Sequence, residues 1–266
     1  MRTAFIGTCR VLDPANHLRR DLRLPALHTA HRVHSPREVE RLVEALTTGK
    51  VDPLTVHTIS DAAFADLLQG RSEWTAEFIG LLHAQWDTCS AFVIEISTLK
   101  QSFVETGVGR LYVNHYTLRD LQAFSEQIEP MIQEGKIAPF RAADIVTENV
   151  TASGAHAAMR RIKALLGGRP IVWACHLNVV SQSEETRRLH EVRTKIASIV
   201  SSGAEKLGDR FYDPTEVLTE LGAKNALEKN GTDYNHFSRP AIERLAKRYW
   251  QIATDLRGTA PASETV

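Results

Sequence analysis

Thr3-Ala4-Phe5-Ile6-Gly7-Thr8-Cys9-Arg10 is an apolar run that stops at a glycine and turns polar at once. A run of that length, closed by Gly, reads as a buried strand entering a tight turn. Ser90 to Ile96 (SAFVIEI) and Arg169 to Ala174 (RPIVWA) read the same way, with Leu27 to Val33 a weaker strand and Phe211-Tyr212-Asp213 a short last one. The stretches between them carry helical spacing. Ser35-Pro36-Arg37-Glu38 opens a helix over VERLVEAL, with Ser at the N-cap, Pro at the first helical position and Glu in capping-box position. Asp61 to Gln69, Ser72 to Leu82, Leu118 to Gln133, His156 to Leu166 and Glu184 to Leu207 follow, and then Thr215 to Leu221 and Arg239 to Leu256. Gly167-Gly168 and Gly208 supply stop signals.

Short apolar strands alternating with helices imply an α/β fold, a three-layer sandwich with a mainly parallel central sheet covered on both faces. One domain is expected over 1–257, with 100–168 as a helical insertion and the small, polar stretch GTAPASETV (258–266) as a disordered tail. The chain has 266 residues, 43% hydrophobic and 24% charged, and a formal net charge of zero, so there is core material but no electrostatic reason to expect nucleic acid or an anionic membrane as partner. The apolar runs, such as Ala91 to Ile94, are too short to span a bilayer. Cys9, Cys89 and Cys175 are widely spaced with no CxxC pair, which argues against a disulfide framework or a thiolate zinc site. No secretory signal is visible at the N-terminus, and a cytoplasmic location is expected.

In open α/β sheets the active site forms at the carboxyl ends of the strands. Three such ends carry polar residues here: Thr8-Cys9, then Ser97-Thr98 with Lys100, then His176 with Asn178. A thiol at a helix N-terminus is a nucleophile whose pKa the helix end lowers. Near the other end of the chain, Asp233-Tyr234-Asn235-His236 sets a carboxylate and an imidazole three residues apart, the spacing for an orienting acid and a general base. Backbone amides around Cys9 are natural oxyanion donors. Each half also has an ordinary reading: a core cysteine, and an Asp that caps a helix. His28, His31 and His34 recur every third residue, but on a strand His31 opposes the other two and no further ligand lies nearby, so no metal is expected. No phosphate-cradling glycine pattern follows Gly7. Arg187, Arg188 and Arg193 read as solvated charges on the long helix, whereas Arg10 beside the thiol would suit an anionic substrate group.

Taken together and in order, Gly7-Thr8-Cys9 and Asp233-Tyr234-Asn235-His236 resemble the first and last blocks of the SGNH (GDSL-like) hydrolases, whose fold is flavodoxin-like. The resemblance is strongest to divergent branches with a thiol in the first block, such as GSCFA-domain proteins and capsule-polysaccharide-biosynthesis acyltransferases. It spans the whole chain in topology and about eight residues in motif. The usual G-x-N-D block is absent at Ser97-Thr98-Leu99-Lys100, and His34-Ser35 stands roughly where the second-block Gly belongs. The resemblance implies Cys9 as nucleophile, His236 as base and Asp233 as orienting acid. Gly7, Thr8, Arg10, His34, Ser97, Lys100, His176 and Asn178 are candidates for oxyanion or substrate contacts. It implies ester hydrolysis or acyl transfer through a thioester, with a small-molecule donor and a saccharide hydroxyl or other small hydroxyl or amine as acceptor. No tightly bound cofactor is expected, and an acyl-CoA can serve as co-substrate. The other reading is a non-catalytic binding domain of the same fold.

Overall fold

The computed structural model describes residues 2–50, 72–106, 109–113, 129, 132–135, 144–179 and 184–259. The helix expected at Asp61 to Gln69 and most of that expected at Leu118 to Gln133 lie outside them, as do residues 260–266 of the expected tail. In chain order the elements are β1 (Arg2–Gly7), α1 (Cys9–Arg20), β2 (Ala26–Arg32), α2 (Pro36–Thr48), α3 (Ser72–Trp86), β3 (Cys89–Ile96), β4 (Lys100–Thr106), β5 (Gly109–Val113) and β6 (Val146–Asn149). There follow α4 (Ala152–Leu165), β7 (Ile171–Cys175), α5 (Glu184–Lys206), β8 (Arg210–Tyr212), α6 (Glu216–Leu221) and α7 (Arg239–Thr259). Two single turns, Ala223–Ala226 and Glu228–Gly231, sit between α6 and α7.

Five strands form one sheet in the order β2-β1-β3-β7-β8, and every neighbouring pair is parallel. This is the flavodoxin-like order, with its switch point between β1 and β3. Strand period 2 sorts the core into two layers. Ala4, Ile6, Phe92, Ile94, Ile171, Trp173 and Cys175 pack toward α2, α3, α4 and α5. Phe5, Ala91, Val93, Val172 and Ala174 pack toward α1 and α7, against Val11, Leu18, Leu245 and Tyr249. Strands buried on both faces read as continuous apolar runs, which is why β1, β3 and β7 stand out in the sequence.

The 100–168 region differs from expectation. Rather than being wholly helical, it holds β4, β5 and β6 in a separate antiparallel sheet of order β5-β4-β6, followed by α4. Ser102, Phe103 and Val104 are buried in a row: Phe103 lies beneath the Arg110 guanidinium, and Ser102 bonds Thr147 across the strands. At α2 the expected start is present. Ser35 Oγ accepts the Glu38 N–H, but the Glu38 carboxylate reaches back to the His34 N–H, one residue before the usual capping-box partner.

Candidate active site

Cys9, the first residue of α1, follows the end of β1 at the switch point of the sheet. Gly7 is needed there because β3 comes so close: a Cβ would meet Glu95 Cβ at 2.6 Å and Oε2 at 2.9 Å. Glu95 belongs to the α1/α7 face of β3 and is fully buried. Its Oε2 accepts the Thr8 N–H at 2.8 Å and the Thr8 hydroxyl at 2.6 Å, and its Oε1 accepts Arg10 Nε at 2.7 Å. Thr8, the N-cap of α1, makes no side-chain cap bond, since its hydroxyl points to Glu95 instead. The amides of Cys9 and Arg10, in the first helical turn, meet no acceptor among the described residues.

The Cys9 thiol is half-buried, and burial pushes its pKa above the ordinary value. The Arg10 guanidinium pulls it down, while Glu95 and Asp13 push it further up. The lowering expected from the helix end does not prevail. Desolvation of the thiolate outweighs it, and a carboxylate bonded to the N-cap amide further offsets the positive end of the helix. Cys89 and Cys175 are buried in the other layer and are also raised by desolvation, Cys89 to about 11.

The Asp233-to-His236 segment closes on itself. Leu227 and Phe237 form an antiparallel bridge, the His236 carbonyl accepts the Glu228 N–H, and the Asn235 N–H donates to Asp233 Oδ1. Both Asp233 oxygens lie 3.1 Å from His236 Nδ1, so an Nδ1–H directed at the carboxylate leaves Nε2 as the basic nitrogen. Slight desolvation raises the Asp233 pKa, but the Asn235 amide, His236 and Lys229 outweigh it and hold the carboxyl below its usual range. Cys9, Arg10, Asp13, Glu228 and His236, with Phe237 and Ile242, line one cavity of about 30 Å³. That is enough space to hold a water. No hydrogen bond joins Cys9 to His236 across it. Asp13, one helical turn beyond Cys9, has its pKa raised by burial, with Arg32 and His236 opposing the rise and Glu228 adding to it.

Glu228, Asp233 and His236 bring potential ligand atoms within 4.8 Å of one another, the one such group among the described residues. Two of the three are exposed, and Asp233 and His236 are already bonded to each other.

The remaining candidates stand around this centre in different ways. His176 donates through Nδ1 to the Leu177 carbonyl and accepts Arg193 Nη2 at Nε2, 3.2 Å away. Burial, together with Arg10 and Arg193, keeps that imidazole well below the ordinary pKa and therefore neutral. Asn178 is engaged at both ends of its amide: Oδ1 accepts from His190 Nδ1 and Nδ2 donates to Thr194. It braces α5 against the end of β7 and does not line the cavity. The His34 carbonyl accepts the amides of Ser97 and Thr98, tying the end of β2 to the end of β3. The buried Ser97 hydroxyl has no partner among the described residues. Lys100 is exposed at the start of β4, in the second sheet, away from the cavity. Arg193 departs from its reading as a solvated charge, being only 5% exposed. Glu95, Asp13, Glu228 and Arg193 belong to the centre and were passed over or misread in the sequence. A lone charge within SAFVIEI was the one visible signal for Glu95.

Two solved structures are similar over nearly their full length. One is a putative SGNH hydrolase from Slackia heliotrinireducens, at 12% identity and a TM-score of 0.41, covering 96% of this chain and 98% of that one. The other is a catalytic mutant of an acetylxylan esterase from Geobacillus stearothermophilus, at 13% identity and 0.37, covering 97% and 94%. No curated protein matches the sequence. The family model of the TviD N-terminal domain matches residues 1–251, nearly the whole chain, and the protein belongs to that family.

Proposed function

We propose that the protein transfers or hydrolyses acyl groups through a thioester on Cys9. The observation that carries this reading is that Cys9 and His236 line one cavity, while Asp233 holds His236 Nδ1 with both oxygens. A thiol raised by burial is protonated at neutral pH, so it needs a base at the moment of attack, and His236 Nε2 is the nitrogen left to act as one. As Sγ bonds the acyl carbonyl carbon, its proton passes to Nε2. The tetrahedral oxyanion can be met by the amides of Cys9 and Arg10. Collapse expels the leaving group, which takes the proton from His236 and leaves the thioester. An acceptor hydroxyl, a saccharide's by family resemblance, then gives its proton to His236 and attacks the thioester, and Cys9 recovers its proton as the thiolate leaves. Water in place of the acceptor gives hydrolysis. An acyl-CoA is the donor proposed.

The test is turnover of aryl esters and acyl-CoA by wild type and single variants. Cys9→Ala is expected to abolish it, and His236→Ala to lower kcat/KM by about 10²–10⁴-fold. Undiminished turnover in Cys9→Ala would overturn Cys9 as the nucleophile, and no turnover of either substrate by wild type would leave the non-catalytic binding domain as the better reading.

A further inference from the structure

Resting on the assignment of His236 as base, we propose that Arg193 is a positioning residue that sets His236 over Cys9 by clamping the backbone and side chain of the preceding two residues. Arg193 Nη1 donates to the Tyr234 carbonyl at 3.1 Å, and Nη2 donates to Asn235 Oδ1 at 2.9 Å. From the other side Arg10 Nη1 donates to the Asn235 carbonyl at 3.3 Å. Asn235 is thus held between two guanidinium groups, one carried by the nucleophile's helix and one by α5. The Arg10 charge is neutralised by Glu95 at 2.7 Å. Among the described residues Arg193 has no carboxylate partner: its other contact is the neutral Nε2 of His176.

That arrangement is unfavourable for stability alone. Desolvation and the neighbouring Arg10 lower the Arg193 pKa to about 10, a sign that the fold works against this charge. A buried charge without a counter-ion is costly, and replacing it by an apolar group of similar volume is often neutral or stabilising. Its protein acceptors lie on the Asp233-to-His236 segment and on His176, at the end of β7. The planar fork of arginine can hold two acceptors on the loop and one on the sheet at fixed angles, which a lysine cannot reproduce. His176 supports this by remaining neutral, its Nδ1–H fixed on the Leu177 carbonyl so that Nε2 stays an acceptor.

The experiment compares wild type with Arg193→Met, Arg193→Lys, Asn235→Ala and His236→Ala. It reads the rate and pH profile of Cys9 alkylation by iodoacetamide, the His236 ring resonance by NMR, and thermal melting. Arg193→Met is expected to slow Cys9 alkylation by about ten- to a hundredfold, toward the His236→Ala rate and its pH profile. It should shift the His236 resonance while melting at or above the wild-type temperature. Arg193→Lys should recover part of the rate, and Asn235→Ala, at an exposed position, should reproduce part of the loss. A wild-type rate, pH profile and His236 resonance in Arg193→Met would overturn the proposal. If His236→Ala leaves alkylation unchanged, the base assignment fails instead. The His236 resonance, which requires no chemistry, then decides the clamp: a position unmoved by Arg193→Met overturns it.

Discussion

The thiol of Cys9 sits among opposing influences whose order of size decides its chemistry. Burial is the largest and favours the neutral form, Arg10 favours the thiolate, and Glu95 and Asp13 oppose it. This differs from thiols activated by a helix end alone, because here the N-cap amide is already bonded to a carboxylate. With a raised pKa the thiolate fraction still grows above the ordinary value of 9.0. In His236→Ala, where only direct ionisation remains, Cys9 alkylation is therefore expected to keep rising beyond pH 9. A stopped-flow or mass-spectrometric rate profile checks this, and a plateau below pH 8 would contradict it. Cys9 should react ahead of Cys89 and Cys175, both buried in the other layer. The catalytic candidates at this scale were legible in the sequence because Gly7-Thr8-Cys9 and the Asp233 to His236 spacing are local patterns. Arg193 was not: a cation on a long helix looks the same in sequence whether it faces water or the sheet.

Between elements, Glu95 is the link that joins β3 to the Cys9 turn. It receives two donors from Thr8 and one from Arg10, and it approaches Gly7 too closely for any side chain there. Removing it leaves the buried Arg10 uncompensated beside Arg193. Breaking a buried pair from one side costs about 3–5 kcal/mol. Glu95→Leu is expected to lose that much in urea denaturation, and a loss below about 1 kcal/mol, the size of an exposed pair, would contradict the assignment. The apolar strands and the Ser35 cap of α2 were readable because each rests on local pattern and local bonding. The sheet of β4, β5 and β6 was not, since β4 opens on the polar run Lys100-Gln101-Ser102 and closes on Glu105-Thr106, with only Phe103 and Val104 apolar between them. Its β4–β6 pairing also joins segments separated by the whole of 107–145. Glu95 was hidden for a related reason: only the paired strands reveal that a charge inside SAFVIEI points at Thr8 and Arg10.

Across the whole molecule, the strand order returns α7 and the loop before it to α1, bringing together two sequence blocks from opposite ends of the chain. The packing of α1 and α7 on one face of the sheet puts Cys9 and His236 around one cavity without any direct bond between them. Among the described residues no helix is long and apolar enough to cross a membrane. Under the proposed mechanism the leaving group and acceptor approach from the side where His236 is 52% exposed, since a cavity of about 30 Å³ holds little beyond water. The role we propose for this cavity is to join a nucleophile to its base. Its most direct test is mass spectrometry of the intact protein quenched in acid shortly after mixing with an activated ester or acyl-CoA. One added acyl group is expected, mapped to Cys9, absent from Cys9→Ala and slow to form in His236→Ala. Turnover without any acyl adduct on Cys9, or an adduct that forms equally fast in His236→Ala, would contradict it.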